Sequence, residues 1–183
     1  MAQTVLVTGG AGFIGSEIVR LLSEKTDYGI RVLDSLTEQI HGENPEDSYL
    51  YQSIKDRCEF IRGDVRDFDT VSEALEGVDY VIHLAAETGT GQSMYMINQY
   101  NSVNVMGLSN IFQALSLKRL REHSPQNRIV IVTIGVWRRE ILLSELRCGV
   151  SARTSCGRYD SGRFLDALRY VQCPTYAPAD YGR

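Results

Sequence analysis

The 183-residue chain has no apolar run long enough to cross a bilayer. Its first residues lead straight into a β-branched segment, without the charged and apolar blocks of a secretion signal. These absences predict a cytoplasmic protein with no membrane partner. Positive charge is not in excess either: a net charge of −4 offers no field to attract nucleic acid. Cysteine is sparse. Cys58, Cys148, Cys156 and Cys173 are irregularly spaced, which suits a reducing compartment better than a disulfide framework. They include no Cys-x-x-Cys pair of the kind that holds zinc, so no metal site is expected. Lysine is missing altogether from residues 133–183.

What remains is ordinary for a globular protein, with 43% hydrophobic and 23% charged residues, enough for one domain with an appendage. The two parts differ in character. Residues 1–132 hold 11 Lys and Arg against 18 Asp and Glu, whereas residues 133–183 hold 8 against 5, all eight cations being Arg. The only Trp and three of the four cysteines also fall in the second part. We therefore expect a folded domain over 1–132 and an atypical tail over 133–183.

Within the first part, apolar β-branched runs alternate with helical patterns. Strands are expected at Thr4–Thr8, Ile30–Leu33, Cys58–Ile61, Val78–Leu84 and Arg128–Val132. Helices are expected at Phe13–Glu24, near Tyr49–Lys55, at Thr70–Leu75 and from Ile97 to Leu120, with Gly89–Ser93 as a loop. Strand–helix alternation implies right-handed βαβ units: an α/β, Rossmann-type, doubly wound parallel sheet, truncated after about the fifth strand.

The first strand runs directly into Thr8-Gly-Gly-Ala-Gly-Phe-Ile-Gly15, with glycines at Gly9, Gly12 and Gly15 before a helix. A pyrophosphate needs backbone N–H groups and the positive end of a helix dipole. Gly9 permits the tight turn, Gly12 lets the backbone approach phosphate, and Gly15 lets helix and strand pack closely. Alone, such a triplet also suits a glycine-rich turn. Here Asp34 ends the second strand 19 residues after Gly15, placed to accept from ribose hydroxyls and to repel a 2′-phosphate. That favours NAD over NADP. Asp64, ending the third strand, is placed to reach an adenine amino group. Leu84, Ala85 and Ala86 supply small or apolar side chains where a cofactor must lie close to the backbone.

TGGAGFIGS (Thr8–Ser16), GDVRD (Gly63–Asp67), HLAAETG (His83–Gly89) and Asn104-Val-x-Gly107 together resemble the extended short-chain dehydrogenase/reductases. Within them the chain resembles the NAD-dependent epimerase/dehydratase family. QIHG (Gln39–Gly42) and GTGQSMY (Gly89–Tyr95) are similar to a subgroup containing dTDP-L-rhamnose 4-epimerases. The resemblance covers about residues 3–132. It implies that Gly9, Gly12, Phe13, Ile14 and Gly15 hold the pyrophosphate of NAD, Asp34 the ribose, and Asp64 and Val65 the adenine. Leu84, Ala85 and Ala86 would line the path to the nicotinamide, Asn104 would orient the helix behind the site, and the Gly89–Ser93 loop would border the sugar pocket. It also implies a dTDP- or UDP-sugar substrate and a homodimer built on a four-helix bundle.

The base such enzymes use is a Tyr whose pKa a Lys four residues later lowers, assisted by a Ser or Thr after the fifth strand. After Val132 only Thr133 stands as a weak candidate, and no Tyr-x-x-x-Lys can follow in a segment without Lys. Tyr51 and Lys55 have the spacing, but between the second and third strands they sit near the adenosine end and read as a decoy. WRREILLSELR (Trp137–Arg147) has the makings of an amphipathic helix, and an uncovered fifth strand would be an aggregation-prone edge.

We expect the tail to be frame-shifted or disordered. Advancing a back-translation of Thr133–Ile141 by one base permits R-S-V-Y-G-E-G-K, the catalytic-loop string the resemblance leads one to expect. Trp137 then forces Gly and Glu140 forces Lys or Arg. Further along, the shifted frame permits two cysteine pairs like a zinc-ribbon insert. Three readings follow: an epimerase or dehydratase lacking turnover, a catalytically silent NAD-binding module, or a non-functional product.

Overall fold

The structure, a computed structural model, describes residues 3–122, 130–137 and 140–146. A six-stranded sheet has the order β3-β2-β1-β4-β5-β6. Its strands are β1 (Thr4–Thr8), β2 (Gly29–Asp34), β3 (Glu59–Arg62), β4 (Tyr80–His83), β5 (Val130–Trp137) and β6 (Glu140–Leu146). The first five pair in parallel, and β6 is antiparallel to β5.

Alternation along the strands divides the core into two layers, one on each face of the sheet. On one face Val5, Val7, Val32 and Ile82 pack under Ile18, Val19 and Leu22 of α1 (Phe13–Lys25) and Ile54 of α3 (Tyr49–Ile54). On the other, Leu6, Leu33 and Val81 meet Val71 and Ala74 of α4 (Phe68–Ala74) and Ile111 and Ala114 of α7 (Gly107–Glu122). β1, β2 and β4 are thus covered on both sides, which is why their sequences are mostly apolar. α4 starts at Asp67, whose carboxylate accepts from the Asp69 and Thr70 amides, an N-cap of the kind that stabilises by about 1 kcal/mol. The last Asp of GDVRD is therefore spent on starting a helix.

Several elements differ from the sequence expectation. Residues 35–56 hold, besides α3, a short helix α2 (Glu38–His41) and a 3₁₀ turn (Pro45–Asp47). The expected loop at Gly89–Ser93 closes into one helical turn, α5 (Thr90–Ser93). The long helix begins as α6 (Ile97–Asn101), widens into a π-helical turn (Ser102–Met106) and continues as α7. Such turns concentrate at functional positions, and this one carries Asn104.

The largest correction concerns the fifth strand. It runs past Val132 to Trp137, and Glu140–Leu146 returns along it, with Trp137 opposite Glu140 and Ile131 opposite Leu146. The segment expected as an amphipathic helix is thus a strand, and the expected open edge of β5 is covered. A parallel edge strand leaves a row of N–H and C=O groups unpaired, and a seven-residue ladder satisfies more of them than helical propensity can offset. Residues 147–183, with Cys148, Cys156 and Cys173, lie outside the described residues, so the expectation of a frame-shifted or disordered tail falls there for the most part. No helix among the described residues is long and apolar enough to cross a membrane.

Candidate dinucleotide-binding site

The carboxyl ends of β1, β2, β3 and β4 open into one cleft of about 480 Å³, where open parallel sheets bind ligands. Gly9, Gly12, Phe13, Ile14 and Gly15 line it from the β1–α1 turn. Asp34 enters from β2, Asp64 and Val65 from the end of β3, and Leu84, Ala85 and Ala86 from the end of β4. Eleven of the twelve residues expected to contact a cofactor thus face one space. The twelfth, Asn104, stands behind it.

The turn has the shape the glycines require. Gly9 has φ +69°, and a Cβ there would lie 2.6 Å from the Ala85 nitrogen. A Cβ on Gly15 would overlap the Gly9 carbonyl oxygen and stand 2.6 Å from the Gly10 Cα. Gly12 differs, since its nearest obstacle is the Gly9 oxygen at 3.3 Å. Its lack of a side chain leaves room toward the cleft rather than room for the fold.

Asp34 is nearly buried, and both carboxylate oxygens are held. Oδ2 accepts from the Ala11 amide and Oδ1 from the Leu36 amide, each at 2.9 Å. The charge is therefore oriented before any ligand arrives, with lone pairs left to accept more. The turn that presents the Leu36 amide puts this residue at φ +53°, a left-handed conformation that a buried leucine adopts only under local constraint. Asp64 faces Arg66: the guanidinium Nε lies 3.0 and 2.9 Å from its two oxygens and Nη2 2.5 Å from Oδ2. That hydrogen bonding holds the Asp64 carboxyl below its ordinary pKa and raises Arg66.

One helical segment ties the two walls together. The Asn104 amide grips Glu87, accepting from its N–H at 2.8 Å and donating to its carbonyl at 3.2 Å. Gly107 comes so near Val65 that a Cβ would lie 2.6 Å from its Cγ2. Asn110 donates to the carbonyls of Val65 and Arg66 at 3.0 and 2.9 Å. Asn104 thus orients the loop after β4 rather than only its own helix. Asn110 is not among the residues expected from the sequence, and nothing in its mixed polar and apolar helix marks it.

Other lining residues are new. Thr37, Gln39, Ile40 and His41 line the cleft beyond β2, Arg66 lines it beside Asp64 beyond β3, and Glu87 and Thr88 line it beyond β4. Gln39 Nε2 donates across to Gln92 Oε1 at 3.3 Å, so the two subgroup motifs, QIHG and GTGQSMY, meet in space. Tyr100 donates to the Gly89 carbonyl at 2.9 Å and pins that loop. Of the loop expected to border the sugar pocket, Gly89–Ser93, no residue lines the cleft itself. Tyr51 and Lys55 do not line it either; the Tyr51 ring packs edge-on against Phe60, centroids 5.0 Å apart. Thr133 sits in β5 beside His83 in register.

His83 is buried, and burial alone pushes its pKa down to about 4 from an ordinary 6.5. The unfolded chain therefore binds the extra proton first. The stability this group contributes is complete above about pH 6.5 and lost as pH falls toward 4, amounting to roughly 3 kcal/mol. Denaturant midpoints taken at neutral pH and near pH 4.5 are expected to diverge more for the native chain than for His83→Asn. Equal divergence would show that other groups carry the acid sensitivity.

The match to known proteins covers this same region. The model of the NAD dependent epimerase/dehydratase family matches residues 5–132. A dTDP-glucose 4,6-dehydratase of Streptomyces niveus is 36% identical over 121 residues, 63% of this chain and 35% of that protein. A dTDP-L-rhamnose 4-epimerase of Burkholderia thailandensis is 36% identical over 115 residues, covering 62% and 30%. Among solved structures, the dTDP-glucose 4,6-dehydratase DesIV of Streptomyces venezuelae, crystallised with NAD, superposes with a TM-score of 0.56 at 30% identity over 69% of this chain and 38% of that one. The UDP-glucose 4-epimerase of Thermus thermophilus, in complex with NAD, gives 0.53 at 31% identity over 63% and 34%. The chain spans about a third of the length of the curated relatives it matches. With its glycine turn, its strand-end carboxylates and a family model matching most of its length, the chain belongs to the NAD dependent epimerase/dehydratase family.

Proposed function

We propose that this chain binds NAD in the cleft at the ends of β1 to β4 and represents the cofactor half of a nucleotide-sugar epimerase or dehydratase. The observation that carries the reading is Asp34: a nearly buried carboxylate, fixed by two amides, on the rim of the space that the glycine turn leaves open. Gly9, Gly12, Phe13, Ile14 and Gly15 would hold the pyrophosphate, Asp34 the adenosine ribose, and Asp64 and Val65 the adenine. The Asp64 carboxylate would share its charge between Arg66 and the adenine amino group. Leu84, Ala85 and Ala86 would form the wall toward the nicotinamide, which when bound accepts and returns hydride.

Turnover is a separate matter. No Tyr-x-x-x-Lys follows β5, because residues 133–183 contain no Lys, and Thr133 alone supplies no base. We infer that this chain holds NAD without oxidising a sugar nucleotide, and that residues from 133 on are read out of frame with the first part. A dTDP- or UDP-sugar is the substrate class that the names of the relatives support. The homodimer that the family resemblance implies is not expected of this chain, since one helix of the four-helix bundle would end in the missing Tyr and Lys region. A cytoplasmic setting suits NAD supply.

Titration of purified chain with NAD and NADP tests the first reading. NAD is expected to bind at least about tenfold tighter, as one buried carboxylate facing a 2′-phosphate requires. Absence of saturable NAD binding by folded protein ends it. Incubation with NAD and dTDP-glucose or UDP-glucose is expected to give no epimer, dehydrated product or NADH, and any of these would refute the loss of turnover. Sequencing the gene and its transcript decides the frame: an uninterrupted frame with no epimerase-like sequence downstream would rule the shift out.

A further inference from the structure

Thr8 and His83 end neighbouring parallel strands, and neither lines the cleft. Thr8 is fully buried and His83 8% exposed. Thr8 Oγ1 stands 2.7 Å from His83 Nδ1. The same oxygen accepts from the backbone amides of Leu84 and Ala85, each at 3.3 Å, the Leu84 N–H being shared with the Thr8 carbonyl at 3.0 Å. A hydroxyl has one proton to give and two lone pairs. With both lone pairs turned to amides, its proton goes to Nδ1, so the ring carries its own proton on Nε2.

The backbone held in this way is the part of β4's exit that touches the glycine turn. A Cβ on Gly9 would meet the Ala85 nitrogen at 2.6 Å and the Leu84 carbonyl carbon at 2.8 Å. The distance between the two walls of the cleft thus depends on where that segment is held. We infer that His83 is a positioning residue for the dinucleotide cleft: its neutral Nε2–H tautomer takes the Thr8 hydroxyl proton and so fixes the Leu84–Ala85 wall against Gly9. A proton added at Nδ1 would turn that nitrogen into a donor facing an oxygen whose lone pairs are already engaged, and one amide contact would have to open. Burial is what lowers the His83 pKa, and the ring's register partners on β1 and β5 are Thr8 and Thr133, neither of them charged.

The inference rests on the NAD reading for its functional consequence but not for its chemistry, so two measurements separate them. ¹⁵N NMR of the whole chain reads the tautomers of its three histidines, with His83→Asn assigning the signal. The expected result is a protonated Nε2 and a bare Nδ1 near neutral pH, persisting below about pH 5. A protonated Nδ1 at neutral pH overturns the inference. NAD titrations form the second arm. Thr8→Val and His83→Leu are expected to weaken NAD binding by about tenfold, whereas Thr8→Ser and His83→Asn, which keep a hydroxyl and an acceptor in place, stay within about threefold. NAD affinity of the native chain should also fall in acid together with the His83 signal, and that of His83→Asn should not. Native-like affinity in folded Thr8→Val and His83→Leu overturns the inference. If the native chain takes up no NAD, the proposed function fails, and faster amide exchange at Ala85 in Thr8→Val then decides this one, unchanged exchange refuting it.

Discussion

Gly15→Ala is expected to abolish NAD binding and to destabilise the fold by about 3 kcal/mol or more. A methyl group at this position would overlap the Gly9 carbonyl oxygen and press on the Gly10 backbone. Neither obstacle is the far end of a flexible side chain. Relief requires moving α1 away from β1, which also separates Ile18, Val19 and Leu22 from Val5 and Val7. The same shift rotates the amide donors of the turn away from a phosphate. Gly12→Ala should separate the two effects: its nearest contact is 3.3 Å, against an overlap at Gly15, so the melting temperature should fall much less than in Gly15→Ala while NAD affinity falls at least about tenfold. Gly91, with nothing within 4 Å of a Cβ, is the neutral control. Thermal denaturation with NAD titration checks all three, and a Gly15→Ala chain that melts and binds like the native one would contradict the packing described.

Asp34→Asn is expected to lower NAD affinity by about tenfold to a hundredfold while NADP affinity falls less or rises. The carboxylate accepts from the Ala11 and Leu36 amides. An amide in its place must turn an N–H toward one of them, leaving a donor facing a donor in a nearly closed space. Hydrogen bonds to a charged acceptor contribute about 1.5–3 kcal/mol each, which sets the range. Removal of the negative charge also removes the repulsion that excludes a 2′-phosphate, so the NAD to NADP ratio is the decisive readout. An unchanged ratio would show that Asp34 does not face the ribose.

Much of the sheet was legible because its strands are short, apolar and bounded by glycine or acid, as in TVLVT before Gly9 or GIRVLD ending at Asp34. The residues expected to contact a cofactor, on strand ends and in the glycine turn, line one cleft because a spacing fixed by the chain's own geometry brings them together. What escaped depended on partners distant in sequence. Nothing local in QIHG announces that Gln39 meets Gln92, 53 positions away. The same holds for Asn110, which acts through carbonyls 44 and 45 positions earlier. Thr8 and His83 stand inside the TGGAGFIGS and HLAAETG motifs, yet their hydroxyl–imidazole contact exists only once β1 and β4 pair. Glu140–Leu146 differs from its sequence expectation for a related reason: its apolar residues suit a helix face, and only an unpaired neighbouring edge makes it a strand.

That last strand limits how the sheet could grow. A parallel sheet extends by laying each new strand along a free edge with its neighbour's direction. Beside β5 that place is taken by a strand running the opposite way, joined through Trp137 and Glu140. Any further strand aligned with β1 to β5 would have to dislodge β6 before it could dock on β5, or else settle on the far side of it, one strand-width from where a continuous parallel order would put it. The hairpin therefore acts as a terminator: it closes the register of the first five strands while leaving the cleft at their carboxyl ends assembled.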